Sequence, residues 1–309
     1  MRPAIYIPTY NGRERLGKTL RSLEAQSRPT DVVVVDNGSS DGTAELLCEE
    51  FPEVALLELD ENIGFGPALN RAVAEHPADP AILLNNDVEA EPRFVEALLD
   101  AAAEGAETVA GVLVQEAAPG LIDSAGVVAD RTLMGFDYLH GEPLEAAARA
   151  ADPLGPTGGA ALYRLDAFRA AGGFDERIFL YYEDLDLALR LRAAGARCRL
   201  AAGARAVHAY SASLGAASGA KYARTGWSRG YMLRRYGVTS RPGDAARALA
   251  AEAAICAGQL LADRTAEGIG GRLRGWRDGA GLERRPIPQD ALLDISLREA
   301  LALRRRRRA

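Results

Sequence analysis

The chain has 309 residues, a formal net charge of −6, 48% hydrophobic and 26% charged residues. That length can bury a full core in one large domain, or in a domain with an extension. The acidic balance argues against a protein built to hold a nucleic-acid backbone, which would be basic; the five arginines Arg304 to Arg308 stand against a body that is more acidic still.

Cys48, Cys198 and Cys256 lie far apart without C-x-x-C spacing, and read as reduced core thiols. The first residues run straight into an apolar strand rather than a signal peptide. No run of about 18 apolar residues is expected to cross a membrane. These readings predict a cytoplasmic protein.

Residues 4–8 read as a buried strand ending in Thr9-Tyr10-Asn11-Gly12. Leu16, Leu20 and Leu23 recur at helical spacing across 14–26. The four valines Val32 to Val35 mark a parallel strand buried on both faces over 31–36. A turn at 37–42, a helix at 43–51, a strand at 54–59 and a helix at 64–74 follow. The strand at 81–84 ends in Asn85-Asn86-Asp87, and a helix at 93–103 leads to a strand at 108–114. This alternation predicts a doubly wound, mainly parallel α/β sheet with ligands outside the carboxyl ends of its strands.

Residues 119–156 are irregular and predict loops and short strands over one face. A strand at 158–163, a helix at 164–171, the turn Gly172-Gly173-Phe174-Asp175 and an amphipathic helix at 183–194 come next. Pro and Gly cluster at 238–243, predicting a division into a domain at 1–238 and a helical C-terminal extension with a basic tail at 239–309.

Three acidic positions carry candidate chemistry. Asp36 follows a buried strand, where an acceptor-only carboxylate can take the imide N–H of a uracil or thymine ring; the plainer alternative, a turn Asp capping the next helix, suits Asp41 better. Asp87 ends a strand, where a carboxylate can hold a divalent cation against a diphosphate; on its own the stretch reads better as an ordinary polar loop between strand and helix. Glu183-Asp184-Leu185-Asp186 opens a helix, where acids are favoured in any case. The preceding Phe179-Leu180-Tyr181-Tyr182 would wall a pocket and raise a carboxylate towards the pKa of a useful base. His208 is one of three histidines, and alone reads as a structural group.

In this order, Ile7-Pro8-Thr9-Tyr10-Asn11, Val35-Asp36-Asn37-Gly38-Ser39-Ser40-Asp41-Gly42, Asn62-Ile63-Gly64-Phe65-Gly66 with Asn70, Asn85-Asn86-Asp87, Gly158-Gly159, Gly172-Gly173-Phe174-Asp175-Glu176 and Glu183-Asp184-Leu185-Asp186-Leu187 resemble the inverting glycosyltransferases of family 2, which have the GT-A fold. Within it the chain is most similar to the rhamnosyltransferase-like branch of surface-polysaccharide synthesis. The resemblance implies a donor site of Pro8, Thr9, Asn11, Asp36, Asn37, Gly64, Asn70, Asn85 and Asn86. It implies Asp184 as general base, an acceptor side at Gly158, Gly159 and Glu183, and Asp87 with His208 as ligands of Mg2+ or Mn2+.

Asn85 replaces the first Asp of the family's D-x-D and removes a negative charge. The implied partners are a dTDP- or UDP-linked sugar and a saccharide or lipid-linked acceptor, with peripheral membrane contact through the basic tail. Two alternatives compete: a nucleotidyltransferase that makes sugar nucleotides, and a non-catalytic nucleotide-sugar binder.

Overall fold

The structure, a computed structural model, describes residues 2–209 and 218–306. In chain order it runs β1 (Ala4–Thr9), α1 (Arg13–Glu24), β2 (Asp31–Asp36), α2 (Thr43–Glu50), β3 (Ala55–Glu58), α3 (Phe65–Glu75), β4 (Ala81–Leu84), β5 (Val88–Ala90) and α4 (Phe94–Ala103). Next come β6 (Thr108–Gln115), β7 (Ala118–Ser124), β8 (Val127–Ala129), β9 (Gly135–Asp137), β10 (Ala160–Tyr163), α5 (Leu165–Ala170), α6 (Glu183–Ala193) and β11 (Cys198–His208). Four helices close the chain: α7 (Gly219–Arg235), α8 (Pro242–Ala262), α9 (Glu267–Asp278) and α10 (Leu297–Arg306).

The main sheet has the order β3-β2-β1-β4-β10-β6-β11-β5, with β7 beside β6. Strands β3, β2, β1 and β4 are parallel. Strand β10 then enters antiparallel to both β4 and β6, β11 returns parallel to β6, and β5 closes the edge antiparallel to β11.

The unbroken apolar strands follow from burial on two faces. Ile5, Ile7 and Val34 meet Leu16, Leu20, Leu46 and Phe94 from α1, α2 and α4 on one side. Tyr6, Val33 and Val35 meet Leu69, Phe168 and Leu187 from α3, α5 and α6 on the other. Every parallel strand therefore ends at one edge, where its polar successor residues collect.

Helices α7 and α9 pack backbone to backbone. A Cβ added at Gly226, Gly230, Gly271 or Gly275 would stand 2.4, 2.0, 2.2 and 1.9 Å from the opposing carbonyl oxygens of Gly268, Arg272, Ala223 and Trp227. The four-residue spacing in each helix keeps its glycines on one face. Ion pairs buried in this bundle span the expected boundary near residue 238. Arg229 of α7 donates from Nε to Glu252 Oε1 of α8 at 2.8 Å, and Arg272 of α9 donates to Glu252 Oε2 at 2.5 Å. Burial opposes the Glu252 charge, but the two guanidiniums hold its pKa down to about 2.

The expectation that no segment is long and apolar enough to cross a membrane is corrected at α8. By length and composition alone Pro242–Ala262 qualifies, and 28% of its apolar window is buried. Its alanines made the segment look like ordinary amphipathic helix, while Arg247 and Glu252 hide their charge in ion pairs with Asp130, Arg229 and Arg272. Leu249 and Leu261 stay exposed on its outer side.

Gly275→Ala is expected to cost about 1–3 kcal/mol by forcing α7 and α9 apart. Gly258→Ala, on α8 with nothing within 4 Å of the added carbon, is expected to gain up to about 1 kcal/mol of helix propensity. Urea denaturation of both variants measures the contrast.

Candidate active site

The strand ends are stitched into one edge by their own polar side chains. Parallel register places Thr9 beside Asp36, and the Asn86 amide donates to Thr9 Oγ1 at 2.8 Å. Asp36 is buried, with Oδ1 accepting from the Ser39 N–H at 2.9 Å. Asn11, at φ 50°, accepts from the Ser40 N–H at 2.8 Å and joins the first loop to the second. Pro8 precedes it on β1, beside Val35. Asp41 takes the Arg13 N–H and the Thr43 hydroxyl, so it binds at the start of α2 while Gly42 occupies the cap position.

Two expected donor residues use their amides within the protein. Asn37 donates to Asn62 Oδ1 and the Gly64 carbonyl, both at 3.1 Å, and accepts from the Ile63 N–H at 2.9 Å. Asn70 bonds the Phe174 carbonyl and N–H, each at 2.9 Å, and braces the Gly173-Phe174 turn. Gly64 is required by its geometry: at φ 101° a Cβ would lie 2.5 Å from the Phe179 carbonyl oxygen. The Phe65 N–H donates to that same oxygen at 2.9 Å. Phe65 also presses on Gly158, and the Asn85 amide abuts Gly159, so the expected acceptor glycines flank both loops.

The structure brings Asp87 and His208 together. Antiparallel pairing of β5 with β11 sets Val88 opposite His208, and His208 Nε2 lies 3.4 Å from Asp87 Oδ1. On its other side His208 Nδ1 is 2.6 Å from Asp123 Oδ2. His140 Nδ1 donates to the Asp123 backbone carbonyl at 2.7 Å. Arg15 NH1 reaches Asp87 Oδ2 at 3.6 Å and donates to the Ala209 carbonyl at 2.8 Å.

Burial opposes a charge on His208, but hydrogen bonds to Asp123 and Asp87 raise its pKa to about 10. Burial likewise opposes the Asp123 carboxylate, and the two histidines hold it well below the usual carboxylate range. Asp123, His140 and Arg15 were not singled out from the sequence. Asp123 and His140 fall in the stretch read as irregular, where no periodicity assigned either side chain a direction.

Asp184 and Glu183 open α6 after a strained turn. Tyr181 and Tyr182 are both left-handed, at φ 70° and 74°, a conformation that costs of order 1–3 kcal/mol per residue. Arg224 lies 3.8 Å from the Phe179 ring centroid and Lys221 lies 5.9 Å from that of Tyr181, so the aromatic run has cations over it. Asp184 Oδ1 accepts the Leu185 N–H at 2.7 Å. Burial, then the neighbouring Asp184 charge, push Glu183 up to about 8, and Glu183 Oε2 is buried without a hydrogen-bond partner.

Asp186 serves the framework rather than the site. Its buried carboxyl group receives Arg190 Nε at 2.9 Å, the Tyr236 hydroxyl at 2.8 Å and Arg285.

The sequence pattern described as Glycosyl transferase family 2 matches residues 4–171, the segment that carries this edge from β1 through α5. The chain belongs to this family. It is therefore an enzyme family that transfers sugars, which disfavours the nucleotidyltransferase alternative.

An N-acetylglucosaminyl-diphospho-decaprenol L-rhamnosyltransferase of Mycobacterium tuberculosis is 34% identical over 214 residues, covering 60% of this chain and 69% of that protein. The succinoglycan biosynthesis protein ExoA of Rhizobium meliloti is 33% identical over 204 residues, covering 62% of this chain and 58% of that protein. Among solved structures, GalNAc-T7 with UDP, GalNAc and Mn2+ aligns with a TM-score of 0.63 at 12% identity, over 92% of this chain and 55% of that one. The fold is the α/β GT-A fold expected from the sequence motifs.

The residues fit a hard divalent cation. Asp87 supplies a carboxylate and His208 an imidazole, and the neighbouring Asn85 Oδ1 is buried without a partner. Oxygen donors with one imidazole suit Mg2+ or Mn2+. Among the described residues no group of three or more His, Cys, Asp or Glu is placed to hold a metal ion by itself, so such an ion would need ligands from substrate phosphates and water.

Because its folded pKa is raised, Glu183 contributes most stability below its unfolded value near 4.5 and loses it as pH rises towards 8. Glu183→Gln is expected to match the native melting temperature near pH 4.5 and to exceed it increasingly up to pH 8. A thermal-shift series across that range measures the difference; a gap that does not change with pH would contradict a buried, protonated Glu183.

Proposed function

We propose that this enzyme transfers a sugar, rhamnosyl by analogy with the mycobacterial relative, from a dTDP- or UDP-linked donor with inversion at the anomeric carbon. The acceptor is the hydroxyl of a saccharide or lipid-linked glycan in cell-surface polysaccharide synthesis. The observation that carries this reading is the Asp87–His208 pair, at 3.4 Å, on the same sheet edge as Thr9, Asp36 and the Asn85 carbonyl.

In this scheme Asp36 accepts from the nucleobase, with Pro8, Thr9, Asn11 and Asn86 lining the nucleoside; Asn37, Asn70 and Gly64 shape the loops around it. Asp87 and His208 hold the cation, which when bound neutralises charge on the leaving diphosphate. Asp184 takes the proton from the acceptor hydroxyl as that oxygen attacks the anomeric carbon, so no covalent nucleophile is needed. Gly158 and Gly159, packed against Phe65 and Asn85, set the backbone on the acceptor side, and the neutral Glu183 carboxyl beside Asp184 can donate a hydrogen bond to the acceptor.

Residues 1–238 form the catalytic unit in this reading and 239–309 a helical extension. The enzyme works in the cytoplasm, peripheral to the inner face of the membrane. The exposed Leu249 and Leu261 of α8 support that placement, and an anionic leaflet suits a basic tail. Of that tail, Arg307 and Arg308 lie outside the described residues.

Asp184→Asn is expected to lower transfer about 10²–10⁴-fold, the span of general-base catalysis, while donor binding changes little. Full activity in that variant would remove Asp184 as base. Chelation should abolish transfer from a dTDP- or UDP-sugar, and added Mn2+ or Mg2+ should restore it in native enzyme but poorly in His208→Ala. Transfer that survives chelation unchanged would refute the cation role of Asp87 and His208.

A further inference from the structure

We propose that Asp123 is a positioning residue for the cation site: it fixes the ring orientation and tautomer of His208 so that Nε2 faces Asp87. The inference rests on the cation reading of Asp87 and His208 and adds to it the group that makes the histidine a competent ligand.

The placement of Asp123 depends on a bulge. In the β6–β7 pairing, Leu113 stands opposite Ser124 while the next residue, Val114, stands opposite Ile122, and the register shifts between them. Asp123 is the extra residue. A bulge of this kind re-aims a side chain that regular pleating would send elsewhere. Here the carboxylate reaches over β6 to β11, two strands away in the sheet, and meets His208 Nδ1 at 2.6 Å. A regular β7 would leave Asp123 paired in the ladder, without the reorientation that the bulge supplies.

The consequence is chemical. An ionised carboxylate only accepts, so it requires the proton to be on Nδ1. A cation at the site would displace the proton from Nε2, the atom 3.4 Å from Asp87 Oδ1, and the neutral ring, with its remaining proton held on Nδ1, would offer its lone pair there. The opposite tautomer would put N–H at Nε2 and hydrogen-bond Asp87 instead of sharing a cation with it. Carboxylate–histidine pairs set metal ligands in this manner generally. His140 supports the arrangement from behind, donating from Nδ1 to the Asp123 backbone carbonyl at 2.7 Å and lying 3.5 Å from its Oδ1. Asp123 is 6% exposed and has no part in the transfer chemistry assigned above, so orienting His208 is what accounts for a carboxylate buried there.

The test is Mn2+ binding, read from the electron paramagnetic resonance of free Mn2+ with a nucleoside diphosphate present. In Asp123→Asn the side-chain amide can donate to Nδ1 and favour the wrong tautomer. The dissociation constant is expected to rise about 10- to 100-fold, with metal-free binding of uridine or thymidine nearly unchanged. A constant equal to native in Asp123→Asn, alongside lost binding in His208→Ala, would overturn the positioning role and leave the cation site standing. Native protein that takes up no Mn2+ would overturn the cation reading and this inference with it.

A second measurement avoids any folding defect of the variant. The chain has three histidines, so the ring ¹⁵N spectrum of native protein with Mg2+ and nucleoside diphosphate is simple, and His208→Ala assigns it. A neutral His208 with its proton on Nδ1 is expected; a proton on Nε2 would overturn the proposal.

Discussion

The site depends on one backbone pairing, β5 against β11. Strand β5 is only three residues long, yet it starts directly after Asp87 and pairs Val88 with His208. The Ala209 N–H extends the pairing by donating to the Asp87 carbonyl at 3.0 Å. Without this pairing the end of β4 and the end of β11 would lie on the same edge but out of reach, since β10 and β6 separate them in the sheet. The intervening strands bring the two ends to the same side, and β5 folds the Asp87 end across to its partner.

Buried charge accounts for how the C-terminal helices are tied to this core. A charge taken out of water is tolerated only when paired and hydrogen-bonded. Asp186, two residues beyond Asp184 on α6, is buried against Arg190, Tyr236 and Arg285. Arg285 also reaches Asp175 at 2.9 Å, in the turn that Asn70 braces. The segment after α9 thus holds both ends of the loop that carries Phe179 to Tyr182. Glu252 plays the same part between α7, α8 and α9, and the glycine faces of α7 and α9 bring those backbones close enough for its two arginines to converge.

The sequence was most legible where burial is two-sided. Val32 to Val35 and Ala81 to Leu84 announced strands because both faces of a parallel sheet must be apolar, and the predicted 31–36 and 81–84 are the observed β2 and β4. The polar residues at their ends could be read as a ligand edge for the same reason. Residues 119–156 were the least legible. Strands β8 and β9 have three residues each and β7 is bulged, so neither a period of two nor a helical period survives long enough to be seen. Asp123 and His140 were missed there. The acidic run at 183–186 was only half resolved: the sequence could not tell that one of its acids, Asp186, is buried against partners brought from residues 236 and 285.

Local chemistry in the sequence was enough to determine the strands, the order of the motifs, and the residue types able to grip a base, a cation and a proton. Those properties are set by neighbours along the chain: apolar runs, turn residues and the acids that follow them. Tertiary structure decided which of these groups meet. The antiparallel entry of β10, the β5–β11 pairing and the bulge at Asp123 are contacts between distant segments, fixed by packing and by the need to pair buried charge. They turn a lone histidine, which by itself reads as structural, into the partner of Asp87.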